Sequence, residues 1–215
     1  MMKTEIIIIK KLKKDGTIDS SISNRLAADI QNGNTVLMPV DMIYGLVALD
    51  SPECRESISR IIGYDEDKFV RMISSFKMLD EVATIDKLAF DFLHRIWPGE
   101  LVVYVENHRK KGVPVSVRMP KSRYQQEIID NVGRPLINAS CQLPGKHPIY
   151  LKKDLIKAYE GKINTIFIIE EFCKEHTLPS VVDISRGTLD VIHEGKVSAE
   201  EIKSLYFLGK DDQVL

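Results

Sequence analysis

Four consecutive isoleucines, Ile6 to Ile9, stand between lysines near the start of the chain. The run is stiff at χ1 and has no helical period, so it reads as a strand over Glu5 to Ile9. The next apolar pattern has a different period. Ile22, Leu26, Ala27 and Ile30 recur at three- and four-residue spacing, which makes Ile18 to Ile30 an amphipathic helix ended by Asn32-Gly33. This switch of period recurs along the chain without strict alternation. It predicts a mixed sheet with helices on its faces, an α/β or α+β fold.

The remaining segments follow the same rules. Val36 to Met38 and Leu46 to Leu49 read as strands around a loop at Pro39 to Tyr44. Ser51-Pro52-Glu53 has the hydroxyl, proline and acid of a helix start, and Ile58, Ile61 and Ile62 give that helix its buried face. Phe69 to Ile73 is a strand. Thr84 is expected to cap a longer helix carrying Leu88, Phe92, Leu93 and Ile96, stopped by Trp97-Pro98-Gly99. Leu101 to Val105 and Val113 to Val117 are strands joined by a basic turn. Ser122 to Val132 is a helix ended by Gly133, and Pro135 to Asn138 a strand entering a loop at Ala139 to Pro148. Lys152 to Tyr159 is helical, Thr165 to Ile169 a strand, Val181 to Ile184 and Leu189 to Ile192 a hairpin, and Ser198 to Leu205 a last helix.

Composition limits the function classes. The 215 residues carry 30 basic and 31 acidic side chains, a net charge of −1, and 44% hydrophobic residues. That apolar fraction fills a core and excludes a disordered chain. The charge balance excludes nucleic-acid binding driven by a field over the whole molecule. The run Ile6 to Ile9 is too short for a signal-peptide core or a membrane span. Cys54, Cys141 and Cys173 are far apart and odd in number, which fits neither a disulfide framework nor metal-ligand spacing. A single cytoplasmic domain over residues 1–215, with no protein-held metal and no membrane contact, is the expectation.

Four stretches carry candidate chemistry. In Pro39 to Leu46 a proline and a glycine bracket Asp41 and Tyr44 directly after a buried strand, where a sheet presents functional groups. The plainer reading is a tight turn with a capping acid and a packed ring. From Asn107 to Gln126 there are six cations, Arg109, Lys110, Lys111, Arg118, Lys121 and Arg123, and until Glu127 no acid. This local patch suits phosphate or carboxylate, above all at Arg118, which ends an apolar strand; Arg109 to Lys111 are read as solvating a turn. Asn138 to Gly145 offers Ser140 and Gln142 as polar ligands, with Cys141 read as a packing residue. In Leu178 to Asp183, Ser180 opens a buried strand that Asp183 closes.

In order along the chain these stretches resemble the YrdC-like family, the threonylcarbamoyl-AMP synthases, clearest over residues 18–197. Pro39, Asp41, Tyr44, Gly45 and Leu46 match its first motif. Trp97-Pro98-Gly99, Val117-Arg118-Met119-Pro120, Pro135-Leu136 leading to Ser140, and Ser180 to Asp183 match later ones. The resemblance implies a twisted mixed sheet with flanking helices around a concave basic cavity. It implies ATP as substrate with Mg²⁺, joined with L-threonine and bicarbonate into threonylcarbamoyl-AMP for tRNA threonylcarbamoyladenosine modification. Carried over by position, Arg118, Ser140, Gln142, Ser180 and Lys68 are expected to bind ATP or its phosphates, and Asp41 and Tyr44 the amino-acid substrate. The alternative is a paralogue without synthase activity that binds nucleotide, tRNA or double-stranded RNA.

The chain departs from the family pattern at several polar positions. Val40 and Met42 replace threonines of the first motif. Ile62 and Tyr64 stand where the family has a lysine-x-arginine pair, and Phe69 follows Lys68 where it has proline. Gln142 replaces an asparagine, Pro179-Ser180 a serine-threonine pair, and His193 an arginine. Loss of one partner from a charge-assisted contact costs on the order of 1.5–3 kcal/mol.

Overall fold

The computed structural model describes residues 3–40, 43–64, 68–147, 149–172 and 178–211. The strands are β1 (Glu5–Ile9), β2 (Val36–Val40), β3 (Ile43–Leu49), β4 (Val70–Met72), β5 (Ala83–Thr84), β6 (Leu101–Asn107), β7 (Pro114–Arg118), β8 (Leu136–Ser140), β9 (Thr165–Ile169), β10 (Ser180–Asp183) and β11 (Asp190–His193). The helices are α1 (Ser20–Gln31), α2 (Pro52–Ile62), α3 (Phe76–Asp80), α4 (Lys87–Ile96), α5 (Arg123–Val132), α6 (Lys152–Tyr159) and α7 (Ala199–Asp211).

The strands form one mixed sheet in the order β1-β9-β2-β3-β8-β4-β7-β6-β10-β11, with β5 added beside β6. The period changes read from the sequence therefore produce the expected α/β layers. Two apolar clusters fill them. The larger contains Leu26 and Ile30 of α1, Phe92 and Leu93 of α4, Ile128 and Ile129 of α5, and Ile202 of α7. The smaller contains Ile58 and Ile62 of α2, Leu155 and Tyr159 of α6, and Leu37, Leu46, Ile137 and Ile166 from the sheet.

Local chemistry sets the helix ends. Ser51 accepts a hydrogen bond from the Cys54 backbone N–H at 3.3 Å, as its place before Pro52 predicts, and Gly63 closes α2 at φ 75°. The start of α4 differs from expectation. Thr84 lies in β5, and Asp86 caps the helix, its Oδ1 accepting from the Ala89 N–H at 2.8 Å. The stretch from Pro39 to Tyr44 is also less of a loop than expected. Pro39 and Val40 continue β2, Ile43 and Tyr44 begin β3, and Val40 pairs with Ile43 in the antiparallel β2–β3 ladder. Asp41 and Met42 lie outside the described residues.

Candidate functional site

Register places the predicted residues. Met72 pairs with Arg118 on one side and with Leu136 on the other; Val70 pairs with Asn138, and Gly45 with Ser140. Cross-strand partners share a face, and alternate residues along a strand do too. Ser116, Arg118, Asn138 and Ser140 therefore form a polar stripe on one side of the sheet centre. Arg118 is 4% exposed and Asn138 8%. Ser116 Oγ donates to the Phe69 carbonyl oxygen at 2.9 Å. Asn138 Oδ1 is buried and accepts no hydrogen bond among the described residues. A buried acceptor left so costs about 1–3 kcal/mol until a donor meets it. Gly45 makes room for this side chain: a Cβ at Gly45 would lie 2.0 Å from Asn138 Oδ1.

Backbone contacts join the motifs. The Gly99 N–H donates to the Met119 carbonyl oxygen at 3.0 Å, tying Trp97-Pro98-Gly99 to the segment after Arg118. The Pro39 carbonyl oxygen accepts from the Tyr124 hydroxyl at 2.7 Å and from Gln125 Nε2 at 3.4 Å, tying the first motif to α5. A cavity of about 330 Å³ opens at the start of α5, where Lys121, Arg123 and Gln125 line it with Phe172.

The sequence-predicted residues divide in two. Ser140, Gln142, Tyr44 and Lys68 gather at one end of the strands. Gly45 and Ser140 are paired, and the Cys141 N–H donates to the Tyr44 carbonyl oxygen at 3.3 Å. Lys68 Nζ lies 5.7 Å from the centre of the Tyr64 ring, and the Tyr64 hydroxyl meets the Ser140 backbone. Arg118 shares the stripe but lies level with Leu136, four residues from Ser140 along β8, roughly 13 Å at 3.3 Å per residue.

Two hydroxyls are already occupied. The Tyr44 hydroxyl donates to the Ile169 carbonyl oxygen at 3.2 Å and accepts from the Ile169 N–H at 3.3 Å, and its ring meets Phe172 edge-on at 5.4 Å. Tyr44 is thus a buried clamp between β3 and β9. Ser180 Oγ donates to the Val197 carbonyl oxygen at 2.6 Å and accepts from the Gly195 and Val197 N–H groups at 2.9 and 3.0 Å. Those three bonds use the donor and both acceptor positions of a hydroxyl. Val103 pairs with both Val117 and Val182, so Ser180 shares the side of Val117, opposite Arg118. Ser180 holds the Gly195–Val197 loop.

The positions of the family's basic pair are apolar or aromatic in fact as well as in sequence. Ile62 is fully buried in the smaller cluster, and Tyr64 packs edge-on against Phe69 with ring centres 6.0 Å apart. Burial pushes the Tyr64 hydroxyl up to about 12 and raises the Tyr159 hydroxyl and Cys141 thiol further. Cys141 is 1% exposed, and burial keeps its thiol protonated and unreactive. The residues that sequence reasoning passed over are Ser116 and Asn138. A period of two, counted back from Arg118 and Ser140, is the signal that finds both.

The Sua5/YciO/YrdC family model, described as "Telomere recombination", matches residues 28–195. The chain belongs to this family. Among its relatives, Escherichia coli K12 YciO is 21% identical over 182 residues, covering 80% of this chain and 88% of YciO. The threonylcarbamoyl-AMP synthase of Pyrococcus abyssi is 25% identical over 194 residues, covering 84% of this chain but 56% of the synthase. The fold agrees with solved structures. Escherichia coli YciO superposes with a TM-score of 0.77 at 18% identity, over 93% of this chain and 99% of that one. The Pyrococcus abyssi Sua5 complexed with L-threonine superposes with a TM-score of 0.81 at 24% identity, over 94% and 61%. The YrdC-like resemblance and the mixed α/β fold are thereby shown. Among the described residues no helix is long and apolar enough to cross a membrane, and no group of three or more metal-ligating side chains occurs.

Proposed function

We propose that this protein binds ATP, or a related adenylate, on the polar stripe of Ser116, Arg118, Asn138 and Ser140. The observation that carries the proposal is Arg118, a guanidinium buried at the sheet centre on the same face as an unsatisfied Asn138 carbonyl oxygen. A buried arginine forks onto phosphate or carboxylate, and Asn138 Oδ1 accepts from an adenine amino group or a hydroxyl. Ser140, Gln142 and Lys68 serve the other end of the ligand. Mg²⁺ arrives with ATP, held by its phosphates.

A second reading is the full synthase reaction of L-threonine, bicarbonate and ATP, feeding tRNA threonylcarbamoyladenosine modification. It is supported by the Pyrococcus abyssi relative, whose name states that activity. On this reading a carbamate oxygen attacks the α-phosphorus and pyrophosphate leaves. The chain would promote this by positioning and charge stabilisation, with no covalent nucleophile. Ile62 and Tyr64 supply no charge to the leaving group, so turnover should be slow relative to members that keep the pair.

Calorimetric titration of Mg-ATP tests the first reading. Saturable binding is expected, weakened about 10- to 100-fold in Arg118→Ala. Equal affinity in the variant refutes it. Pyrophosphate release that depends on both threonine and bicarbonate tests the second; release unchanged when threonine is left out rejects it.

A further inference from the structure

A basic cavity of about 290 Å³ touches the polar stripe only at Ser116 and draws its cations from other positions. Arg55, Arg71, Arg109 and Lys110 line it, and Asp50 is the carboxylate among its described lining residues. Arg71 pairs with Val117 and Ile137, so it projects from the opposite side of the sheet to Arg118, which pairs with Met72.

The cations are held in place. Asp50 Oδ1 accepts from Arg55 Nη2, and Asp50 Oδ2 accepts from Arg71 Nε at 3.0 Å, with the Arg71 and Asp50 side chains 16% and 14% exposed. This leaves the Nη1 and Nη2 hydrogens of Arg71 for the cavity, since Nε alone is engaged by Asp50. The turn beyond β6 is fixed as well: Asn107 Oδ1 accepts from the Arg109 and Lys110 N–H groups at 2.9 and 3.3 Å.

The charges are not balanced by this arrangement. Burial pushes Arg71 below its ordinary value, Asp50 pulls it back, and Arg55 and Arg109 push it down again. Like charges are gathered around a half-buried guanidinium that one carboxylate fixes by its Nε edge. A multivalent anion entering the cavity relieves that repulsion and meets a pre-oriented fork. The volume stands at the lower end for ligand pockets, enough for one or two phosphate groups.

We propose that this cavity is a second anion site that takes a phosphate group, through Arg71 with Arg109 and Lys110. The group is either a free oligophosphate or a phosphodiester of a polynucleotide, and the two sources are separable by experiment. Inorganic pyrophosphate is titrated into the full chain in an Arg118→Ala background, so that binding on the polar stripe is removed from the reading. Saturable binding is expected, weakened about 10-fold or more by Arg109→Ala with Lys110→Ala in the exposed turn, and by Arg71→Lys, which keeps the charge and loses the fork. The turn variant should melt like its parent.

A short RNA duplex is titrated in parallel at low and high salt. Tight duplex binding that displaces pyrophosphate and falls in the turn variant assigns the phosphate to a polynucleotide; pyrophosphate binding alone assigns it to a free anion. Pyrophosphate and RNA binding that are both absent, or both within twofold of the parent in the turn variant, overturn the site. Loss of ATP binding in Arg118→Ala with pyrophosphate binding retained separates this result from the proposed nucleotide site.

Discussion

Gly45 and Asn138 share one space: a Cβ on Gly45 would stand 2.0 Å from Asn138 Oδ1 and 3.0 Å from Val40 Cγ2. Gly45→Ala therefore forces the Asn138 amide to rotate within a face where it is 8% exposed. The expected cost is about 1–3 kcal/mol in urea unfolding. Asn138→Ala added to Gly45→Ala removes the clash, so the double variant should be more stable than the two single losses sum to. Nucleotide affinity should fall in the single and the double variants alike. Strict additivity of the stabilities would refute the shared-space account.

Ser180→Ala should act on stability and spare ligand binding. The substitution removes an acceptor from the Gly195 and Val197 N–H groups and a donor from the Val197 carbonyl. These backbone groups are part-buried, so leaving them unpaired costs on the order of 1 kcal/mol, the low end for buried groups. Gly195 adds to the effect, because it lies so close to Leu178 and Pro179 that a Cβ there would meet backbone oxygen at 2.2 Å. The loop is thus built around the hydroxyl. A fall in unfolding midpoint with ATP affinity within twofold of the parent is the expected result. Affinity lost at unchanged stability would return Ser180 to the ligand.

Much of the architecture was legible because it is written in local period. The β-branched run of β1, the three-and-four spacing of α1 and the glycine after α5 each specify their element within a dozen residues. Short or borderline segments were not. α3, five residues from Phe76 to Asp80, is too brief to display a period. Thr84, the expected cap of α4, is taken up by β5, where it pairs with Glu106, and Asp86 caps the helix instead. The site was legible as an ordered set of motifs, and these carried the family. The uses of single hydroxyls were hidden. Tyr44 meets Ile169 and Ser180 meets Val197, contacts made by segments that only the tertiary fold brings together. Asn138 escaped notice because its significance lies in alternation with Ser140 and in the missing side chain of Gly45.

Alkaline pH should unfold the protein earlier than a chain with solvated phenols. The Tyr64 hydroxyl, ordinarily near 10.0, is pushed up to about 12 by burial. Above pH 10 the unfolded chain releases this proton while the folded chain retains it, so stability falls as pH rises from about 10 to about 12. Below that window the group contributes its full stability. The Tyr159 hydroxyl and Cys141 thiol are raised for the same reason and steepen the decline. Denaturation midpoints measured across this range should drop less steeply in Tyr64→Phe. Equal slopes would show Tyr64 to be solvated.

The two positions of the missing basic pair should respond oppositely to its return. Ile62 is fully buried in the smaller core cluster, so Ile62→Lys gives up about 1.5–3 kcal/mol of apolar burial before any cost of the buried charge. That variant is expected to lose stability and gain no affinity. Tyr64 is half-buried beside the Ser140 backbone, with Lys68 over its ring. An arginine there can carry its stem across Phe69 and set its guanidinium near Ser140. Tyr64→Arg is expected to tighten ATP binding several-fold and to raise the salt sensitivity of that binding. If Tyr64→Arg binds ATP no better than the parent while its fold is intact, the Ser140 end of the stripe does not receive phosphate.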